Sequence, residues 1–574
     1  MLKEVLILSK TMTQADNFWY SMDDPVNLMI ITGFWEFEST LDYNRLFATL
    51  EATLTSFPRF KQKVVPAASG LGLPEWVTDK HYDLRSHLHR IALPDPGDKN
   101  ELQDMISQLI VSNLDHNKPL WDVHLIENYQ KGCVLFFRLH HCIADGIALM
   151  HVLHSMADTE PDAPWPEPKT FEKKIIKRQN SLFSFNTMIS SAKKAVEKGQ
   201  KTGKAVVKEI KNISSNPESL KFMAKFAANL PADIGAVLSK NTIMKADPNT
   251  AFKGKLGVQK KVVWTDPVPL DRIKALGKAI SSATLNDILI ATVTGAMRRY
   301  LKTRNTPINE LDLRVTVPVN IRKPGTEFEL GNKFSLVFLS LPVFLDDPVL
   351  RLKEVKRRMD KLKISADPYV NFGLLSTIGY LPGALAQRAA RLFGDKASGV
   401  LTNVPGPKKP LYFAGKKITN IMFWVPRSGA IGLGISILSY NGKVTIGIAS
   451  DCGLMPDPET LLEGFEEEFN HLIDIVQSGK IDQDPLVLYD RFKEKDPHQP
   501  DLKANKSSGS LKPGSKLKSK PKFKPGLCGA LTKSDKPCRN KAVKGESFCH
   551  RHRKPQEEES LLEDVTQIMK GLVD

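Results

Sequence analysis

The run Cys133-Val134-Leu135-Phe136-Phe137-Arg138-Leu139 constrains the fold more than any other stretch of the chain. A nearly continuous apolar run of this length reads as a strand covered on both faces, as found in sheets flanked by helices. It ends at His140, and Gly146 to Met156 reads as a helix with Leu149, Val152 and Leu153 on one side. Residues 140–146 are therefore expected to form a strand-to-helix loop, held by a rigid frame and facing a cleft.

The same alternation of patterns continues downstream. Thr284-Leu285-Asn286-Asp287 opens a helix that is apolar almost all round from Ile288 to Leu301, which implies burial between layers. Strands are predicted at 313–319, 334–341 and 431–438, and Ser439-Tyr440-Asn441-Gly442 reads as a hairpin turn. A closing helix is expected to start at Asp457 as its cap, with Pro458 in the first turn, and to stop at Gly479. A chain of 574 residues is too long for one ordinary core. The expected fold is therefore α/β, in two mixed-sheet halves over residues 1–157 and 255–485.

Between and beyond the halves the composition changes. Residues 158–254 read as a linker and a basic insertion, in which Met188 to Lys211 places apolar residues on one helical side and lysines mainly on the other. That pattern suits a solvated helix and a membrane-surface helix equally. Residues 486–526 are rich in Lys, Pro, Ser and Gly and are expected to be a disordered linker. The formal charge of +17 is concentrated, with +8 in 171–212, +14 in 491–555 and −5 in 556–574. The remainder is close to neutral, which argues against a nucleic-acid-binding core and for an enzyme with basic segments suited to an anionic surface.

No apolar stretch reaches the roughly 18 residues a spanning helix needs, since Val337 to Leu345 is broken by Ser340 and Pro342. The first residues carry no secretory pattern, so a cytoplasmic, peripherally lipid-associated protein is expected.

The chemistry concentrates in His140-His141-Cys142-Ile143-Ala144-Asp145-Gly146. A neutral imidazole at a strand end accepts a proton from a hydroxyl, and Gly146 lets backbone and substrate approach closely. This segment matches the HHxxxDG motif and resembles the condensing acyltransferases. More closely, the chain is similar to the bacterial wax ester synthase/acyl-CoA:diacylglycerol acyltransferases. Further matching segments are Pro119-Leu120-Trp121, Asn286-Asp287, Pro318-Val319-Asn320-Ile321-Arg322, Leu330-Gly331-Asn332 and Asn403-Val404-Pro405-Gly406-Pro407, spread over roughly residues 5–480 in the family's order.

The resemblance implies two chloramphenicol-acetyltransferase-like halves with a tunnel between them. It also implies acyl transfer from acyl-CoA to diacylglycerol or a long-chain alcohol, with His141 as general base and no catalytic cofactor. His140, Asp145 and Gly146 are expected to shape the loop. Asp145 is read as structural, held by Arg138 or Arg322, with orientation of the imidazole as the alternative. Pro119, Leu120, Trp121, Asn286 and Asp287 are expected to contact substrate. Trp121 also suits a core position, and Asn286-Asp287 also suits a helix start after Thr284, with Asn286 the family's candidate for an oxyanion donor.

Two other readings remain. An amide-forming condensation domain needs a carrier protein, which the chain lacks, and an inactive membrane or nucleic-acid adaptor does not explain an intact His141 and Asp145. The end of the chain departs from the family pattern: Cys528, Cys538, Cys549 and His552 have the ligand chemistry of a structural zinc module over 527–553. The alternative is unpaired thiols in a disordered tail. Residues 554–574 are expected to add an acidic amphipathic helix.

Overall fold

The computed structural model describes residues 10–479 except 68–72, 162, 166–243, 281–282, 323–325, 327–328, 366 and 379–382. The amphipathic basic helix expected over 188–211, the linker expected over 486–526, the expected zinc ligands Cys528, Cys538, Cys549 and His552, and the helix expected over 554–574 lie outside the described residues.

The first half contains β1 (Lys10–Thr11), α1 (Gln14–Ser21), β2 (Ile30–Phe37), α2 (Tyr43–Ala52), β3 (Gln62–Val65), β4 (Glu75–Thr78) and β5 (Leu88–Ala92). It continues through α3 (Lys99–Leu109), β6 (Trp121–Tyr129), β7 (Gly132–His140) and α4 (Gly146–Met156). Every residue of β7 is buried, as its apolar run predicts. The loop and the helix after it fall where the hydrophobic pattern places them, with Asp145 capping α4 through the Ala148 N–H at 3.0 Å.

The second half contains β8 (Lys260–Trp264), β9 (Val268–Pro269), α5 (Leu270–Ala279), α6 (Leu285–Thr303), β10 (Leu313–Asn320), β11 (Phe334–Leu341), α7 (Pro348–Lys363), α8 (Asp367–Ile378) and α9 (Gly383–Gly394). It ends with β12 (Gly399–Pro405), β13 (Tyr412–Phe413), β14 (Lys416–Trp424), β15 (Leu433–Tyr440), β16 (Lys443–Asp451) and α10 (Pro458–Gln477). Helix α6 is buried along almost its whole length and opens with a capping box between Thr284 and Asp287. Asn441 and Gly442 both take positive φ, 46° and 75°, and close the β15–β16 hairpin.

Two details depart from expectation. The strand predicted from Ile431 starts at Leu433 and runs on to Tyr440, because the Asn-Gly turn needs only two residues. Asp457 precedes α10 but its carboxylate caps no helix N–H; it accepts from Tyr300 Oη at 2.6 Å and pairs with Arg304 instead.

The sheets interlock. One has the order β11-β10-β12-β15-β16-β8, with β9 also on β16, and a small sheet joins β1, β4 and β3. The other has the order β13-β14-β2-β7-β6-β5, so two strands from the second half complete the sheet that carries β7. Strand β14 pairs antiparallel with β2, with Met422 opposite Phe34. No described helix is long and apolar enough to cross a membrane.

Candidate active site

The loop after β7 lies where the two halves meet. The His141 N–H donates to the Met29 carbonyl at 2.7 Å, and Ala144 bridges to Gly331 of the second half. Gly331 takes a φ of +103°, a backbone conformation that side-chain-bearing residues rarely adopt, so glycine permits the turn. The turn delivers Asn332.

Asn332 orients the histidine. Its Oδ1 lies 2.9 Å from His141 Nδ1, while its Nδ2 donates to Asp16 Oδ1 and to the His141 carbonyl, both at 2.8 Å. Both partners of Nδ2 are pure acceptors, so the amide has one consistent orientation and its oxygen must face the ring. Nδ1 therefore carries the proton, and Nε2 is the nitrogen with the free lone pair. Asp16, fully buried, is fixed in turn by the Asn332 N–H at 2.8 Å and by Arg59 at 3.3 Å. Arg59 also donates to the carbonyls of Cys142 and Ile143, tying the relay to the loop.

Ring packing completes the site. Trp19 of α1 stacks on His141 with centroids 4.1 Å apart, and Phe334 stacks at 5.4 Å. Burial lowers the pKa of His141 to about 4, and the charge of Asp145 and the Asn332 hydrogen bond oppose this only in part. The imidazole is thus a neutral base at physiological pH. Burial pushes the neighbouring Cys142 thiol well up, which keeps it protonated and unsuited to nucleophilic attack.

His140 is 1% exposed and faces away from this relay. Its Nδ1 accepts the Cys142 N–H at 3.2 Å, and its Nε2 faces Asp23 at 3.4 Å. Burial of Asp23 opposes ionisation, but the facing imidazoles of His116 and His140 and the Met29 N–H outweigh it and hold the carboxyl well below the usual range.

Asp145 accepts from Arg322 at 2.6 Å and from the Lys333 N–H at 2.8 Å, so of the two arginines anticipated, Arg322 is the partner. Arg138 turns instead to the carbonyls of Leu109 and Ser112. The imidazole is oriented by Asn332, not by Asp145.

The residues expected to contact substrate are placed as follows. Pro119, Leu120 and Trp121 are all buried; the Leu120 carbonyl accepts the His140 N–H, and the Trp121 indole donates to Phe60 at 2.9 Å while stacking on His87. They support the loop from the core. Asp287 Oδ2 accepts the Thr284 N–H in the capping box, while its Oδ1 is buried without a partner among the described residues. Asn286 Oδ1 accepts from Asn403 Nδ2 at 2.6 Å, beside Val404.

One cavity reaches the loop, and a second touches Met29, whose carbonyl accepts the His141 N–H. The first, of about 50 Å³, is walled almost entirely by apolar side chains, among them Ile31, Trp35, Met150, Val404 and Leu438, and it reaches Gly146. A Cβ at Gly146 would meet nothing within 4 Å. The other, about 360 Å³, is lined by Met29 and by Asp24, Lys255, Arg391 and Ser428.

Asp16, Trp19 and Arg59 carry no motif in the sequence, and Asn332 stands in the matching segment Leu330-Gly331-Asn332. The glycine before Asn332 was the one local signal of a special backbone.

This is the constellation of a condensing acyltransferase: a loop histidine at the junction of two mixed sheets. Residues 12–289 match the wax ester synthase/diacylglycerol acyltransferase catalytic domain and residues 330–473 the WS/DGAT C-terminal domain. The chain belongs to the wax ester synthase/diacylglycerol acyltransferase family. It is 25% identical over 480 residues to a Mycobacterium tuberculosis protein provisionally named a diacylglycerol O-acyltransferase, covering 80% of this chain and 89% of the relative. The O-acyltransferase WSD of Acinetobacter baylyi is 27% identical over 414 residues, covering 68% and 82%. The fold is shared with the wax ester synthase/diacylglycerol acyltransferase of Marinobacter aquaeolei VT8, at a TM-score of 0.58 and 22% identity over 82% of this chain and all of that one.

Proposed function

We propose that this chain transfers a fatty acyl group from acyl-CoA to diacylglycerol or a long-chain alcohol, with His141 Nε2 as the general base. The observation that carries the reading is the Asp16–Asn332–His141 relay, which leaves one neutral, unprotonated ring nitrogen in the motif histidine. The acceptor hydroxyl gives its proton to Nε2 as its oxygen attacks the thioester carbon. The C–S bond then breaks and the imidazolium returns the proton to the departing thiolate. Asn286 is the family-motif candidate for the oxyanion donor. The apolar lining of the small cavity at Gly146 matches the hydrocarbon character of an acyl chain.

The direct test incubates the purified full chain with palmitoyl-CoA and either hexadecanol or dioleoylglycerol and resolves the lipids. Wax ester or triacylglycerol is the expected product; neither forming from either acceptor overturns the reading.

Asn332→Ala removes the group that fixes the ring. Losing a buried hydrogen bond of roughly 1–3 kcal/mol corresponds to about 5–150-fold in rate, expected in kcat with KM little changed. A KM effect alone would place Asn332 in substrate binding.

The pH profile follows from the base. His141 acts when unprotonated, and its pKa is lowered to about 4, so kcat/KM should hold from neutrality downward and fall only as pH passes through about 4. A limb near the ordinary histidine value of 6.5, with the fold intact by circular dichroism, contradicts the buried neutral base.

We also propose that the basic segments hold the enzyme on anionic lipid, because its acceptors are insolubl in water and +8 of charge lies in 171–212. Changing Lys193, Lys194, Lys198, Lys201, Lys204 and Lys208 to Gln is expected to release the protein from anionic vesicles while sparing turnover on detergent-solubilised acceptor. Undiminished sedimentation at low salt would move the anchor to the C-terminal basic tail. Cys528, Cys538, Cys549 and His552 are proposed as a structural zinc site; loss of zinc from the full chain on changing these residues to Ser and Ala tests it.

A further inference from the structure

Strand β5 lies at the edge of the first sheet and pairs in parallel with β6, which sets His89 directly opposite His124. Asp122 precedes His124 by two residues, so the pleat puts it on the same face. Each of the three offers one ligand atom, and these atoms lie within 4.8 Å of one another. The imidazole rings of His89 and His124 are 4.8 Å apart between centroids.

The two inner ligands are unusual. His124 Nδ1 and Asp122 Oδ1 stand 3.5 Å apart, and both are closed off from solvent without a hydrogen-bond partner among the described residues. The His124 side chain is only 9% exposed. A buried polar atom without a full hydrogen bond costs about 1–3 kcal/mol, so with the proton on His124 Nε2 a cation seated between Nδ1 and the carboxylate would satisfy both. Metal–ligand bonds of about 2.0–2.1 Å at a tetrahedral angle put neighbouring ligand atoms about 3.4 Å apart, close to this separation.

We propose that His89, Asp122 and His124 form a site for a transition-metal dication, of the zinc type, separate from the acyl-transfer centre. Asp122 and His124 supply the preformed edge. His89, which is exposed, closes the third position by a side-chain rotation and leaves the fourth to water. Arg138 positions the carboxylate: its Nη atoms are fixed by the carbonyls of Leu109 and Ser112, and its Nε faces Asp122 Oδ1 at 3.3 Å. Because that guanidinium offsets the single carboxylate charge, binding rests on the imidazoles, which favours zinc, cobalt, nickel or copper over calcium and magnesium. The ion would fasten edge strand β5 to β6.

The test uses the full-length chain with Cys528, Cys538 and Cys549 changed to Ser, so that their thiolates take no metal. After chelator treatment it is titrated with Co²⁺ and followed by visible absorption and thermal melting. One equivalent is expected to give a low-symmetry, four-coordinate spectrum without thiolate charge transfer and to raise Tm. His89→Ala, a change at an exposed position, should abolish the spectrum and weaken binding by at least about 10-fold. Equal affinity and spectrum in His89→Ala, or no cobalt bound by the parent protein, overturns the proposal and leaves a bridging water between Asp122 and His124.

Discussion

Replacing His141 with alanine is expected to lower acyl transfer by about 10²–10⁴-fold, the usual cost of losing a general base. The relay that ends on Nδ1 has no other ring to act through, and the neighbouring Cys142 is a buried, protonated thiol. The fold should persist, because β7 and α4 are held by their own pairing and packing. Some stability will go, since the imidazole fills space beside Trp19 and Phe334. Product formation per folded enzyme, with the folded fraction taken from circular dichroism, is the measurement; an alanine variant turning over like the parent removes His141 from the chemistry.

The second large effect is on stability. Arg322 is 4% exposed and its guanidinium binds Asp145 and the carbonyls of Glu329 and Gly331. Arg322→Met leaves the Asp145 carboxylate buried with only the Ala148 and Lys333 N–H groups, and breaking a buried pair from one side costs about 3–5 kcal/mol. Urea denaturation of parent and variant measures it. Adding Asp145→Asn should recover part of the loss by removing the stranded charge. A single-variant change below about 1 kcal/mol would show that the pair does not hold the loop.

What the chain reveals in one dimension is what its local physics dictates. The nearly continuous apolar run of β7, the helix after Gly146, the capping box at Thr284 and the Asn-Gly hairpin depend on residues a few positions apart, and each is found where the pattern puts it. The HHxxxDG segment is legible for the same reason. The relay was hidden because Asp16 and Asn332 are 316 positions apart and each, alone, is an ordinary polar residue. The bond from the Trp121 indole to the Phe60 carbonyl spans 61 positions and was equally hidden. Membership of β13 and β14 in the first sheet was likewise illegible, since pairing over such distance leaves no periodic trace in either strand.

That last feature sets a timetable. Strand β2 has β7 on one side soon after synthesis, but its other edge waits for β14, roughly 380 residues further along; at about 5–20 residues per second the wait is about 20–75 s. Throughout that interval the nascent chain carries an open hydrogen-bonding edge along Ile30–Phe37. Asn332 and Arg322 also emerge late, so the histidine made first stays unoriented until most of the chain exists. The nascent chain is therefore expected to be inactive while its open β2 edge invites strand-to-strand pairing, and chaperone demand during expression should track the stretch between β2 and β14.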